Sequence, residues 1–176
     1  MKNNILLFVT TLALVFFITG CETLDEALKP EPLEVDKAQF VISVNEVVEY
    51  PRARQLEREI ETFNGRTIWI NLNTFLHSRD IEAVKLVPSK DKDGFFDMSL
   101  KLTRKGKVMW ISLCEEVKIK KFGVIVDGTF YRMFQPEKMV TDDDEWVVMK
   151  GPFDPTTAKA IEKNAAGNYK KFNKDK

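Results

Sequence analysis

Apolar and polar positions alternate with a period of two along much of the chain, which is typical of β-strands with one buried face. In residues 96–102 every even position is apolar and every odd position is polar. Phe40, Ile42 and Val44 follow the same alternation. Further extended segments rich in apolar residues cover residues 67–70, 84–87, 122–126, 129–134 and 146–149. All of these segments are predicted to be strands.

Two dipeptides, Asn64-Gly65 and Asp127-Gly128, are typical of two-residue hairpin turns. Asp127-Gly128 lies between two apolar segments and is predicted to join them as a hairpin. Residues 53–63 are ambiguous, because their apolar positions fit a helical stripe while alternating glutamates fit a strand. We favour the strand, which makes Asn64-Gly65 the turn of a second hairpin.

Two segments have the period of an amphipathic helix, with apolar residues three or four positions apart. Thr103 is suited to cap the first, and Asp154 followed by Pro155 is a favourable start for the second. A short helix is also predicted from Ser78 through Ala83. The two apolar stripes are Trp110, Leu113, Cys114 and Val117, and Ala158, Ile161, Ala165, Tyr169 and Phe172. The predicted fold class is therefore α+β: a largely antiparallel sheet with two main amphipathic helices on one face.

The N-terminus has the pattern of a secretory signal peptide. Lys2 precedes an almost unbroken apolar run over residues 5–18, which is shorter than the roughly 20 residues of a spanning helix. The run ends in Ile18-Thr19-Gly20-Cys21, which resembles the lipobox of bacterial lipoproteins. That resemblance implies cleavage after residue 20 and lipidation of Cys21. The alternative is an uncleaved anchor in which Cys21 is incidental.

The remaining chain divides at about residue 37. Residues 21–37 are acidic and contain two prolines, so they are predicted to form a tether, and residues 38–176 are predicted to form one domain. Anchoring through Cys21 predicts a location in the bacterial cell envelope. In lipoproteins the residue after the cysteine influences sorting, and Glu22 favours the outer membrane where one exists; the side of the membrane stays open.

Charge and cysteine content limit the partners. The chain has 27 basic and 27 acidic residues, so there is no cationic excess to attract nucleic acid. Its cysteines are Cys21 and Cys114. If Cys21 carries lipid, no intramolecular disulfide can form, and Cys114 is predicted to be a small buried apolar residue. The expected partners are membrane lipid, through acylated Cys21, and an envelope protein or peptide.

No segment has the pattern of a catalytic or metal site. His77 is the only histidine and has no ligand-type residue at i+4, so we expect a loop residue rather than a catalyst. The acidic run at 142–145 could attract a hard cation, but it lacks the spacing of a calcium loop and favours a solvated turn. We therefore predict no catalytic residue, no metal and no cofactor.

Trp69 and Trp146 are the candidate binding residues. Both are predicted to lie in strands, where a tryptophan is first of all a core residue. The alternative is that one of them lies on an exposed face and anchors a protein interface.

From about residue 78 to residue 172 the order of motifs resembles the periplasmic head subdomain of the SecD/SecDF protein-export subunits. The matching motifs are Arg79-Asp80-Ile81, Leu102-Thr103-Arg104-Lys105-Gly106, Val124-Ile125-Val126-Asp127-Gly128, and Gly151-Pro152-Phe153 with Ala158. The resemblance implies the fold and contact with other polypeptides in the envelope. Those subunits have many membrane-spanning segments, whereas this chain has none after residue 20, so no translocation motor is implied.

The leading functional hypothesis is a non-enzymatic envelope lipoprotein that binds another protein or peptide, with a link to protein export. An edge strand, such as one in the Asn64-Gly65 hairpin, could accept a strand from the partner. One alternative is a lipoprotein that binds a small ligand in a cleft. Another is a hydrolase of envelope polymers, which needs two carboxylates facing each other at about 5 to 9 Å.

Overall fold

The computed structural model describes residues 37–53, 55–62, 64–136, 139–141 and 143–174. Contacts divide the chain into two units, Met1–Lys37 and Ala38–Lys176. The predicted signal peptide, Cys21 and almost all of the predicted tether lie outside the described residues. No helix among the described residues is long and apolar enough to cross a membrane.

The domain contains eight strands and two helices in the described part of the chain. The strands are β1 (Ile42–Val48), β2 (Glu57–Glu61), β3 (Thr67–His77), β4 (Ile81–Pro88), β5 (Phe96–Leu102), β6 (Lys121–Val126), β7 (Thr129–Phe134) and β8 (Val147–Phe153). The helices are α1 (Arg104–Glu116) and α2 (Pro155–Phe172). This composition confirms the α+β class.

The strands form two antiparallel sheets, which the sequence did not predict. The larger sheet has the order β2-β3-β1-β6-β7, and the smaller has the order β4-β5-β8. Helix α1 packs on β3 and β5, while α2 packs mainly on β4. The main core between these layers contains Leu76, Trp110, Phe122, Phe153 and Ile161, each at most 2% exposed.

Both predicted hairpins are confirmed. β2 and β3 pair as predicted, but the Thr62 amide donates to the Arg66 carbonyl at 2.7 Å, so their loop is longer than the two-residue turn predicted at Asn64-Gly65. β6 and β7 pair through the two-residue turn Asp127-Gly128. Asp127 and Gly128 have φ angles of 48° and 84°, the left-handed conformation that this turn requires. The Asp127 carboxylate also accepts hydrogen bonds from the amides of Phe40 and Val41, both at 2.8 Å. The turn therefore holds the chain where it enters β1.

The predicted helix starts are confirmed. The Thr103 hydroxyl accepts a hydrogen bond from the Gly106 amide at 3.0 Å, so it caps α1. The Asp154 carboxylate accepts hydrogen bonds from Thr156 and Thr157 and caps α2, with Pro155 at the first helical position. The strand predicted at 146–149 extends further than expected, because Gly151–Phe153 continue β8; the Gly151–Pro152 peptide bond is cis.

The short helix predicted from Ser78 through Ala83 is wrong. Only Ser78–Asp80 form a single 3₁₀ turn, and β4 begins at Ile81. The Asp80 carbonyl accepts a hydrogen bond from Thr103 at 3.0 Å, and Ile81 pairs with Leu102. Pairing with β5 therefore replaces the helical bonds that this segment would otherwise make.

The larger sheet curls towards a second, smaller apolar cluster. Ile60, Ile70 and Ile125 form this cluster, and Ile68 and Phe130 pack against it. Thr62, just beyond β2, makes an isolated bridge to Phe130 of β7. The two edges of the larger sheet therefore approach each other at this point, which leaves the second half of β7 as its more accessible edge.

Candidate functional site

A groove of about 1050 Å³ lies between the two sheets, with residues of two edge strands in its walls. Strand β7 contributes Arg132, Met133 and Phe134, and β8 contributes Lys150 and Gly151. The remaining walls come from the end of α1, the start of β6, and the loop between β4 and β5. The groove therefore lies where two strands each have only one neighbour in their own sheet.

Cations outnumber carboxylates in the lining of this groove. Lys120, Lys121, Arg132 and Lys150 face it, against the single carboxylate Asp91. Two of these cations are paired at the rim. The ammonium of Lys120 lies 3.1 Å from Glu116 and 3.5 Å from Glu46, and that of Lys121 contacts Glu49. The hydrogen bond to Glu116 is the main reason why the pKa of Lys120 is raised.

Arg132 joins the two sheets by its side chain. Its guanidinium donates to the Met133 carbonyl at 3.3 Å and to the Pro152 carbonyl at 3.1 Å, and it lies 5.7 Å from the centre of the Phe153 ring. Burial lowers the pKa of Arg132, but arginine remains charged under all conditions in which proteins fold. These partners are neutral, so the positive charge of Arg132 has no bonded counterion among the described residues.

A second contact between the sheets fixes the backbone behind Arg132. The Tyr131 ring stacks on Phe153 at 5.3 Å. Its hydroxyl donates to the Asp154 carboxylate at 2.7 Å and accepts from the Asp154 amide at 2.8 Å. Burial, together with the Asp154 carboxylate, raises the pKa of Tyr131 to about 12. The hydroxyl therefore stays protonated at physiological pH and keeps both bonds.

The same hydrogen bonds set the charge of Asp154. Burial alone would raise its pKa, but the bonds from Thr157, Tyr131 and Thr156 outweigh burial and hold the pKa below the ordinary value. Asp154 is therefore ionised in the folded domain, and its negative charge favours the N-terminus of α2.

The structure does not bring Trp69 and Trp146 together, and neither lines the groove. Trp69 is half-buried in β3 of the larger sheet, opposite Val48 and Glu59. Trp146, predicted to begin a strand, is instead half-buried one position before β8, and the Lys85 ammonium lies 4.0 Å from its ring centre. Their roles as interface anchors stay predictions.

His77 occupies a structural position at the end of β3. Its Nδ1 accepts a hydrogen bond from the Arg79 amide at 3.1 Å and so caps the 3₁₀ turn. Its ring packs edge-on against Phe172 of α2, with ring centres 4.8 Å apart. Burial, and after it the charge of Arg79, lower the pKa of His77, while Asp80 opposes them. The neutral ring is therefore the form that fits the fold.

We expect the domain to lose stability as the pH falls below the ordinary histidine pKa of about 6.5. The pKa of His77 is lower in the folded state, so the unfolded state takes up the proton first. Since His77 is the only histidine, His77→Asn should remove this loss, because asparagine also caps helical turns. The measurement is chemical unfolding at pH 7 and pH 5. An equal loss in both proteins would contradict the assignment.

The remaining candidate positions are the acidic run at 142–145 and Cys114. Among the residues that the structure describes, no group of three or more His, Cys, Asp or Glu could hold a metal ion. In the acidic run, Asp142 lies outside the described residues, Asp144 accepts hydrogen bonds from Thr141, and Glu145 pairs with Lys101 at 2.9 Å. Cys114 is half-buried against the main core, and burial raises the pKa of its thiol.

Sequence reasoning missed Arg132. The sequence feature that could have indicated Arg132 is its position as a single cation within the apolar run Thr129–Phe134. Pairing across the β6–β7 hairpin places Arg132 opposite Val124. Its contact with Pro152 depends on the second sheet, which no local pattern revealed.

Comparisons with known proteins show likeness at the level of the fold. No family model matches the chain, and no curated protein matches it. A crystal structure of SecDF in a super-membrane-facing form matches with a TM-score of 0.50 and 16% identity, over 73% of this chain and 19% of that chain. A structure of SecDF, described as a membrane component that enhances protein export, matches with a TM-score of 0.49 and 15% identity, over 73% of this chain and 63% of that chain. The chain thus spans about a fifth of the first SecDF chain, and the domain has a SecD-like fold.

Proposed function

We propose that this protein is an envelope lipoprotein, anchored through acylated Cys21, whose domain binds an extended segment of another polypeptide in the groove between β7 and β8. The domain itself carries out no reaction in this proposal. A link to protein export is part of the proposal, and the SecD-like fold supports it.

The observation that carries the proposal is that two edge strands share one groove. An edge strand has backbone N–H and C=O groups without a neighbour in its own sheet, and a partner strand can pair with them. The half of β7 that contains Met133 and Phe134 faces the groove, whereas the other half approaches β2 at Phe130. This geometry favours an extended peptide over a helix.

Arg132 gives the groove a preference for acidic or carbonyl-rich segments. Its guanidinium already holds two backbone carbonyls, and its charge is not paired with a carboxylate in the described residues. Arginine has five donors in a planar fork, so it suits carboxylates and peptide carbonyls. An extended segment with an acidic side chain is therefore the expected occupant.

The alternative functions receive less support from this groove. Small-ligand pockets are enclosed and mainly apolar, whereas this groove is open and four of its lining residues are cationic. A carboxylate-based hydrolase needs two facing acids, and the lining contains one carboxylate, Asp91.

The test is photocrosslinking of the purified full chain to an unfolded polypeptide with carboxymethylated cysteines. A photoreactive residue at Met133 is expected to capture this polypeptide, whereas one at Leu72 on the larger sheet is not. Leu72 is a matched control for Met133, because the two side chains are 43% and 46% exposed.

Arg132→Lys should weaken capture at Met133 by about fivefold or more, because lysine keeps the charge but lacks the planar fork. Thermal unfolding of this variant would show whether the fold is kept. Equal capture at Met133 and Leu72, or capture unaffected by Arg132→Lys in a folded protein, would contradict the groove as the binding site.

A further inference from the structure

Helix α1 has apolar residues on two opposite faces. Gly106, Trp110 and Leu113 are buried against the core. A stripe with the same spacing, shifted by two residues, points away from the core, because two residues correspond to about 200° of helical rotation. We define the outer face of α1 as Arg104, Val108, Ile111 and Glu115, with Ile119 in the turn that follows.

The outer face exposes three aliphatic side chains. Val108 is 53% exposed, Ile111 38% and Ile119 82%. Single exposed apolar residues are ordinary, but two along one side of α1 and a third in the turn that follows form a surface that water solvates poorly. Since a helix of a soluble domain normally has polar residues on this side, the outer face of α1 is a candidate docking surface.

Cations surround these aliphatic residues. Arg104, Lys105 and Lys107 occupy the first turn of α1, which contains no acidic residue. Positive charge at a helix N-terminus opposes the helix dipole and costs stability, so this arrangement favours an anionic partner. At the other end of α1, the Lys118 ammonium lies 2.6 Å from the carboxylate of Glu115. This ion pair neutralises the one acidic residue of the outer face.

Two carboxylates, Glu82 of β4 and Glu145 before β8, lie beside these cations. Glu82 and Glu145 share a shallow depression with Lys101, Arg104 and Lys107. Lys101 is paired with Glu145 at 2.9 Å. Cations therefore outnumber acids within the depression, although the whole chain has equal numbers of the two.

We propose that the outer face of α1 docks on an anionic phospholipid surface. Exposed aliphatic side chains between basic residues are the pattern of helices that lie in the membrane interface, where the aliphatic groups enter the acyl boundary and the cations meet phosphates. This inference rests on the proposed anchoring through Cys21. The 17 residues from Cys21 to Lys37 span at most about 60 Å, so the anchor keeps the domain near the lipid.

The test measures the approach of lipid to a fluorophore in the full chain bound to vesicles. One label is placed on the outer side of α1 through Ser112→Cys, and a matched label on the smaller sheet through Ser99→Cys, both with Cys114→Ser. Both serines are half-buried. Brominated lipids should quench the label at position 112 in vesicles of phosphatidylcholine with phosphatidylglycerol, and quench it far less in phosphatidylcholine alone. The label at position 99 should be quenched in neither.

Two sets of variants separate the contributions of the aliphatic and the basic residues to docking. Ile111→Ser with Ile119→Ser should reduce quenching at position 112 about tenfold, because the inserting groups are lost. Replacing Arg104, Lys105 and Lys107 by glutamine should reduce quenching in the anionic vesicles to the level in phosphatidylcholine. Equal quenching at both labels, or quenching without dependence on phosphatidylglycerol, would overturn the proposal.

Flotation of the same vesicles reports the anchor separately. If the chain floats but the label at position 112 is not quenched, docking by α1 is wrong while anchoring stands. Crosslinks between two copies at position 112 without quenching would identify the surface as a dimer interface and overturn lipid docking. If the full chain floats with neither kind of vesicle, both anchoring and docking are wrong. That result is expected only for the control chain that lacks residues 1–20 and carries Cys21→Ser. The Met133 crosslinks report the groove independently.

Discussion

Gly151→Ala is expected to lower the free energy of unfolding by about 3 kcal/mol or more, because the site has no room for a methyl group. A Cβ at position 151 would overlap the carbonyl oxygen of Phe96 and lie 2.6 Å from the amide nitrogen of Phe153. It would also lie 3.0 Å from the carboxylate of Asp97, which accepts a 2.8 Å hydrogen bond from the Gly151 amide. These are backbone or buried atoms, so none of them can move without loss of pairing between β5 and β8.

The matched control is Gly167→Ala on helix α2. Beyond the neighbouring helix backbone, a methyl group at Gly167 would meet no atom within 4 Å, and alanine favours the helix, so this variant should gain about 0.5 to 1 kcal/mol. Both free energies are measured by denaturant unfolding with the slopes compared. If both variants changed the free energy of unfolding by a similarly small amount, the backbone where β5 meets β8 would be more adaptable than its contacts indicate.

Trp110→Ala is expected to lower the free energy of unfolding by about 3 to 5 kcal/mol. Trp110 is 1% exposed, and its ring meets the Phe134 ring edge-on with centres 5.5 Å apart. Removal of the indole leaves a cavity between α1 and the end of β7, so the loss exceeds the transfer free energy of the side chain. Phe134 also lines the groove, and its position should therefore shift in this variant.

Ile111→Ala provides the contrast one residue further along α1. Its side chain belongs to the outer face, so the expected loss of stability is below about 1 kcal/mol. Chemical unfolding of both variants measures the difference. If Ile111→Ala cost as much as Trp110→Ala, the outer face would be packed against protein, and the two faces of the helix would have to be reassigned.

Much of the local structure follows from short sequence signals. Asp127-Gly128 predicts its hairpin because few residues adopt the left-handed conformation that the turn requires. Thr103 and Asp154 predict helix starts because their side chains can accept bonds from free amides. Such signals are complete within a few residues, so they can be read without knowledge of the rest of the fold.

Features that depend on distant contacts could not be predicted in this way. Ser78–Asp80 has a helical pattern, but the bond from Thr103 to the Asp80 carbonyl commits the following residues to a strand. The groove requires two separate sheets, and the alternation of apolar residues does not say which strands share a sheet. The role of Arg132 could not be predicted for the same reason, since Pro152 lies 20 positions away in the other sheet.

The place of β1 in the larger sheet has a mechanical consequence. β1 is the first strand after Ala38 and has neighbours on both sides, β3 and β6. Tension that enters from the N-terminal side runs along β1, whereas its hydrogen bonds lie across it. The load is therefore shared by two ladders in shear and cannot open them one bond at a time. A domain pulled from its N-terminus would thus resist force through its central strand.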